Sequence, residues 1–445
     1  MKIKIYFSLG LLTSVLMWAN LGFAQNSLTV EQAMEAAIQN RSNSKVSKLE
    51  KEDAKLALKE AQLVLYPRVN AGLDYKHNLI RPTTILPGAL VGNPNGDDIP
   101  VQFGTNYNAT GFLDFNIGIL NSPLGKDIQI AKKKVELAGL SAEADEKQIR
   151  EDVIAVYYAI LVNIDRQTQL QADLSEAKSL RKDMETRVAA GLVNEIDAER
   201  LRSKERQIAI DIEKQVQLIA LSKMRLNLAM GNPVDQAIEP ADRLDAFNPV
   251  DLPEEKPITR LDFLQLRSAQ VSLRIAQMET ERLKHGLLPT VSAYGYLGAQ
   301  GFGNNLKFFS SEDFPWYGIS YIGLRAALPI NNFFNYKTQS KRQQISVQKA
   351  QLQLDELRQQ SDFELLEVSN LQNQARIDLK KAQEQLNLAE KNLAFVNTRV
   401  ISGLALSEDL VSALTERSNA KIACLIAQYN LIQAIWKQRI LAEQY

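Results

Sequence analysis

The sequence has almost none of the residues that metal or thiol chemistry needs. Its 445 residues include one cysteine, Cys424, and two histidines, His77 and His285. A single cysteine excludes an intrachain disulfide, and Cys424 sits in the apolar run 422–426, where a small core residue belongs. Neither histidine has a Cys or His nearby in sequence, so the spacing of a zinc site is missing. No P-loop occurs, so nothing here would cradle a nucleotide phosphate. The glycine-rich run 298–303 reads as a strand end, and the seven methionines are scattered rather than grouped into a copper path. No catalytic set, no metal site and no cofactor emerges. Positive and negative side chains balance at 52 each, which removes the basic excess expected of a nucleic-acid partner. Beyond the first two dozen residues no apolar run approaches about 18 residues, so a membrane-spanning helix is excluded, although a β-barrel is not.

The N-terminus has its own pattern. Lys2 and Lys4 precede a mostly apolar stretch from Ile5 to Leu21, and Gly22-Phe23-Ala24 supplies small residues for cleavage. Residues 1–24 read as a secretory signal peptide. Its removal leaves 50 basic against 52 acidic residues, a net charge of −2. The next residue is Gln25 and not Cys, which argues against a lipid anchor.

Two motifs recur in order. Thr186-Arg187-Val188-Ala189-Ala190-Gly191-Leu192 returns as Thr398-Arg399-Val400-Ile401-Ser402-Gly403-Leu404, 212 residues later. Leu65-Tyr66-Pro67-Arg68-Val69 returns as Leu287-Leu288-Pro289-Thr290-Val291, 222 residues later. Two anchors at nearly one offset imply a duplicated unit. The first repeat spans 25–230, a proline-rich acidic connector spans 231–258, and the second repeat spans 259–445.

Within the first repeat, residues 28–66 carry helical spacing and stop at Pro67. The period then changes to two. Val69, Ala71, Leu73 and Tyr75 alternate with Arg68, Asn70, Gly72, Asp74 and Lys76, as in a strand with one apolar and one polar face. Residues 81–104 read as a loop. A second strand follows, with Leu113, Phe115, Ile117 and Ile119 on the apolar side, and helical spacing continues to about Met230 with a break at Gly191. The second repeat offers a helix over 259–288, a strand with Val291, Ala293 and Leu297, a loop near 301–315, and a strand with Ile322, Leu324 and Ala326. A helical tract then runs from about 336 to the end, broken at Gly403. Leu379, Ala382, Leu386, Ala389, Leu393, Val396 and Val400 alternate at spacings of three and four, a coiled-coil seam. Leu174, Ala177, Met184 and Val188 fall at matching places in the first repeat. Tracts of about 65 residues at 1.5 Å per residue are rods on the order of 100 Å long.

Four strands cannot close a membrane barrel, whose smallest examples have about 8. Strands pooled from three chains would give twelve and leave no open edge in lipid. The alternative is a periplasmic coiled-coil adaptor or structural protein without a membrane barrel. An adaptor of that kind would have one helical hairpin between compact β domains, whereas this sequence has two hairpins with short strand pairs between them.

With those residues in view, the chain resembles the TolC-like outer-membrane efflux protein family over nearly all of its length past the signal peptide. The resemblance rests on the helix–strand–strand–helix plan, the Leu-x-Pro-x-Val approach to each strand pair, and Arg-Val-x-x-Gly-Leu between long helices. Pro329-Ile330 with Phe333-Phe334 is similar to the family's strand-to-helix exit. It implies a mainly α protein with a small β part: long α-helical coiled-coil hairpins in two tandem repeats, each giving two strands to a trimeric 12-stranded outer-membrane β-barrel. The implied role is passive exit from a Gram-negative cell for the substrates of an inner-membrane pump, in efflux or type I secretion. The implied partners are two further copies, a periplasmic adaptor, an inner-membrane transporter and outer-membrane lipid.

The resemblance also places a helix-turn tip at Gly191, Leu192, Gly403 and Leu404, with Arg187 and Arg399 four residues before each glycine. Asp409, with Glu408 beside it, is the implied pore constriction, and Asp197 the implied link that holds the tip closed. Some family members carry gating residues where this chain has Val400, Ala405 and Ser412, so its own tip contacts must differ.

Overall fold

The structure is a computed structural model in which residues 27–87, 90, 92, 96–244, 263–310 and 312–442 are described. The expected signal segment 1–24 and residues 245–258 of the expected connector lie outside the described residues. In order the chain forms β1 (Ser27–Leu28), α1 (Val30–Asn40), α2 (Ser42–Leu63), β2 (Arg68–His77), β3 (Thr83–Leu86), β4 (Ile99–Gln102) and β5 (Tyr107–Leu120). It continues with α3 (Ser122–Ala189), α4 (Glu195–Met230), β6 (Glu239–Pro240), α5 (Leu264–His285), β7 (Thr290–Gly303), β8 (Trp316–Ala327), α6 (Ile330–Ile401) and α7 (Ser407–Leu441). The longest helices, α3 and α6, have 68 and 72 residues.

The described residues divide into two compact units, one drawn from within Met1–Lys51, Ala138–Ala269 and Leu354–Tyr445, the other from within Glu52–Leu137 and Gln270–Gln353. The first is a helical bundle. Its largest core gathers Met34 and Ala37 from α1, Val153 and Tyr157 from α3, Leu226 and Met230 from α4, and Ile432 and Trp436 from α7. Continuous burial of these apolar side chains is the main drive for helices whose own propensity is modest. The coiled-coil spacing read from sequence is realised: Ala382, Ala389, Leu393 and Val400 are buried, and Leu379, Leu386 and Val396 pack beside them.

A polar knot fixes the start of this bundle. The Tyr157 hydroxyl lies 2.7 Å from the Leu28 carbonyl oxygen and 2.6 Å from Asp242 Oδ2, and the Val30 amide donates to the same carboxylate at 3.0 Å. Burial pushes the Tyr157 hydroxyl up in pKa, so it stays protonated and able to donate. Parallel pairing of β1 with β6 completes the tie.

Residues 28–66 are not the single helix their spacing predicts. Ser27–Leu28 is a strand, and Thr29 caps α1 in a reciprocal box with Gln32. Arg41 then adopts extended backbone (ψ 132) and separates α1 from α2. Ser44 makes the break tolerable: its hydroxyl donates to the Ile38 carbonyl at 2.6 Å, satisfying an oxygen the helix end would orphan.

The second unit holds a four-stranded antiparallel sheet in the order β2-β5-β7-β8. Its register puts Leu73, Leu113, Leu297, Ile322 and Leu324 on one face, and Asn70, Asp74, Asp114, Asn116, Ser292 and Arg325 on the other. All four alternating segments therefore share one apolar face. That face is bare: Leu73 is 78% and Ile322 85% exposed. Among the described residues, β2 pairs only with β5 and β8 only with β7, which leaves both outer edges open.

Two sequence expectations need correction here. Residues 81–104 contain the hairpin β3–β4 within the loop. The glycine-rich run 298–303 is the end of β7, as read from the sequence, and an aromatic ring needs the space there: a Cβ at Gly301 would meet the Phe314 ring at 2.5 Å, and one at Gly303 the same ring at 2.2 Å. The last helical tract begins at Ile330, directly after Pro329 and ahead of the expected start, since a proline can precede a helix without losing a hydrogen bond.

Candidate functional site

The candidate site is the pair of helix turns where α3 passes into α4 and α6 into α7. Both turns are built alike. Gly191 and Gly403 have φ of 73° and 74°, the left-handed conformation that favours glycine. The Gly191 amide donates to the Val188 carbonyl and the Leu192 amide to the Arg187 carbonyl; Gly403 and Leu404 repeat both bonds to Val400 and Arg399. This is the Schellman closure, and it explains why Arg-Val-x-x-Gly-Leu appears twice. Leu192 and Leu404 are exposed, at 72% and 68%.

Beneath the turns the four helices share one core: Met184 from α3, Ala198 and Leu201 from α4, Leu393 and Val400 from α6, Leu410 and Leu414 from α7. The two turns are therefore held side by side, and polar groups tie them. Arg187 Nη1 donates to the Ile401 carbonyl at 2.9 Å and the Val400 carbonyl at 3.3 Å, so a cation from α3 caps the last turn of α6. Arg399 has no such reach. It donates to the Leu404 carbonyl within its own turn and lies over the Phe395 ring.

The acids divide the same way. Asp197 Oδ1 accepts a hydrogen bond from the Ser407 hydroxyl, which ties α4 to α7. Arg200 Nη2 approaches Glu408 Oε2 at 3.2 Å and its Nη1 approaches Asp197 Oδ1 at 3.9 Å, so one guanidinium lies between the two carboxylates. Asp409 stays exposed, and its Oδ2 accepts from the Leu406 amide at 3.0 Å at the start of α7. The structure thus joins Asp197 and Glu408 through Arg200 and leaves Asp409 on its own turn. Sequence reasoning missed Arg200 and Ser407. Arg200 lies three residues past Asp197 on one helix face, a spacing that marks it as a partner for the acid.

A second polar cluster lies in the bundle. Arg417 of α7 is paired with Asp173 at 2.8 Å and Glu176 at 2.5 Å, both on α3. Asp173 and Arg417 are 4% and 9% exposed. His77 stacks on Tyr107, and His285 Nδ1 shares a hydrogen bond with the Ser122 hydroxyl at 2.5 Å. Among the described residues, no group of three or more His, Cys, Asp or Glu is placed to hold a metal ion, and no helix is long and apolar enough to cross a membrane.

No family model and no curated protein matches the sequence. Solved structures match its fold. The outer membrane protein VceC from Vibrio cholerae superposes with a TM-score of 0.76 at 16% identity, over 93% of this chain and 95% of that one. The Campylobacter jejuni outer membrane channel CmeC gives 0.68 at 15% identity, over 93% and 85%. The open state of the Neisseria gonorrhoeae outer membrane channel MtrE gives 0.66 at 14% identity, over 93% and 88%. The chain has the TolC-like fold of these channels.

Proposed function

We propose that the chain is one third of a passive exit duct in the outer membrane of a Gram-negative bacterium, with its long helices in the periplasm. The observation that carries this reading is the four-stranded sheet, with one apolar face exposed and both edges open. In water, such a sheet is a template for aggregation. In lipid, the apolar face is satisfied, and three sheets joined edge to edge form a closed cylinder of twelve strands. Aromatic side chains support the same reading: Tyr75, Phe308, Phe314 and Trp316 pack together at one end of the sheet, as in the aromatic girdle at a membrane interface.

The duct serves an inner-membrane pump through a periplasmic adaptor, and its cargo is set by that pump. Asp409, with Glu408 beside it, forms the acidic ring at the narrow periplasmic end, and Asp197 belongs to the contacts that keep the end closed. Fractionation of cells and gel analysis of unheated extract test the assembly. A heat-labile trimer in the outer-membrane fraction is expected; a water-soluble monomer would overturn the duct and favour the periplasmic adaptor or structural protein.

A further inference from the structure

The polar face of the sheet carries an aromatic row that a lipid partition does not call for. Phe112, Tyr296 and Tyr321 come from three successive strands. Their rings stack at 5.5 Å and 5.3 Å between centroids, with interplanar angles of 15° and 5°. Glycines clear the way. A Cβ at Gly72 would lie 2.4 Å from the Phe112 ring, and one at Gly298 would lie 2.9 Å from the Tyr296 ring. The row therefore crosses from the β2 edge to β8, where Tyr321 is 51% exposed.

Carboxylates flank the rings. Asp114 is the register partner of Tyr296, and Asp74 lies two residues beyond Gly72 on the same face of β2. The bases on this face are Arg68 and Lys76 near the two ends of β2, and Arg325, whose guanidinium lies 4.8 Å over the Tyr294 ring, itself edge-on to Tyr321 at 6.2 Å. The contact of Arg325 with Tyr294 shows the chemistry the face supports, a planar cation held on a tyrosine.

We infer that Phe112, Tyr296 and Tyr321, with Asp74 and Asp114, form a stacking site for planar organic cations. The inference rests on the barrel reading, in which this face lines the lumen and three copies place nine rings around it. Cross-strand aromatic pairs also stabilise a sheet, so the test has to separate binding from assembly.

Ethidium binding to the full-length protein in detergent, followed by fluorescence anisotropy with trimer content checked by sedimentation, makes that separation. Ethidium is expected to bind and tetraethylammonium, equally charged but not planar, to compete poorly. Tyr321→Leu is expected to weaken ethidium binding about fivefold while Tyr321→Phe leaves it unchanged. An intact trimer that binds ethidium equally well with Leu at 321 overturns the stacking site and leaves the barrel standing. A soluble monomer overturns both. If Tyr321→Leu does not assemble, Asp114→Asn, which keeps every ring, is expected to weaken binding about threefold, and unchanged binding there also overturns the site.

Discussion

Arg187 of α3 and Ile401 of α6 are joined by a hydrogen bond of 2.9 Å from guanidinium to carbonyl, across two helix turns that share no sequence neighbourhood. The equivalent arginine of the other turn, Arg399, bonds to Leu404 beside it. Identical local motifs thus have unequal roles. A hydrogen bond from a charged donor contributes about 1.5 kcal/mol or more. Arg187→Met is therefore expected to speed amide exchange in peptides spanning 396–406 by about tenfold, and Arg399→Met to leave peptides of the other turn unchanged. Equal protection in wild type and Arg187→Met would remove the cross-turn cap.

The glycines allow a cleaner comparison. Gly191, Gly403 and Gly231 all sit near φ +73°, a region costing other residues about 1–2 kcal/mol. Around Gly191 and Gly403 nothing lies within 4 Å of a new Cβ, so alanine at either is expected to cost about 1 kcal/mol. At Gly231 a Cβ would also meet the Arg41 backbone at 2.8 Å. Thermal unfolding should rank Gly231→Ala as the most damaging of the three, and asparagine at 403 as milder than alanine.

These cases show what a single sequence discloses. Period-two alternation in four segments, a heptad with two residue sizes, and glycine at a helix end are local signals, and each appears in the structure at the residues that carry it. Contacts between distant helices leave no such trace. Asp173 and Arg417 each look like an ordinary solvated charge on a long helix, and nothing in spacing pairs positions 244 residues apart. The break at Arg41 was hidden for a related reason: the helical pattern continues through it, and what stabilises the break is a serine hydroxyl and the close approach of Gly231. In the tip, the acids were legible as helix-start carboxylates and Arg200 as a local partner of Asp197, while the bond from Ser407 and the reach of Arg200 to Glu408 required the packing of α4 against α7.

The Asp173–Arg417 pair carries its own stability test. Asp173 Oδ2 and Arg417 Nε are buried without a hydrogen-bond partner, so the pair offsets its desolvation incompletely. Removing Arg417 strands Asp173, whereas removing Asp173 leaves Arg417 its bond to Glu176. Arg417→Ala is expected to cost about 3–5 kcal/mol and Asp173→Ala less, whereas Asp173→Leu with Arg417→Met is expected to be neutral or stabilising. Denaturant titration of the four proteins reads this directly, and a double variant as unstable as either single one would contradict the desolvation argument.

Glu151 of α3 gives a pH signature of opposite sign to the usual acid. Desolvation by burial raises its pKa, and nearby Glu364 and Asp152 add to the rise against the pull of Lys437. With a folded pKa above the unfolded one, the native state binds more protons between the two values, so this residue's contribution falls as pH rises through that window. Glu151→Gln is expected to raise thermal stability at pH 7 and to change it little at pH 4. A glutamine variant less stable than wild type at pH 7 would show that the ionised carboxylate is favourable there.

Asp409 combines two roles that one substitution can separate. Its carboxylate accepts from the Leu406 amide and completes the start of α7, and its charge is the proposed ring at the narrow end of the duct. Alanine removes both. Asparagine keeps an acceptor for the amide but has no charge. In reconstituted channels Asp409→Asn is therefore expected to lose block by multivalent cations as fully as Asp409→Ala, while the stability of the turn, read by amide exchange over 404–410, drops in the alanine variant alone. Block that persists in both variants would assign Asp409 to the helix start and leave the ring to another acid, with Glu408, 3.2 Å from Arg200, the first to substitute.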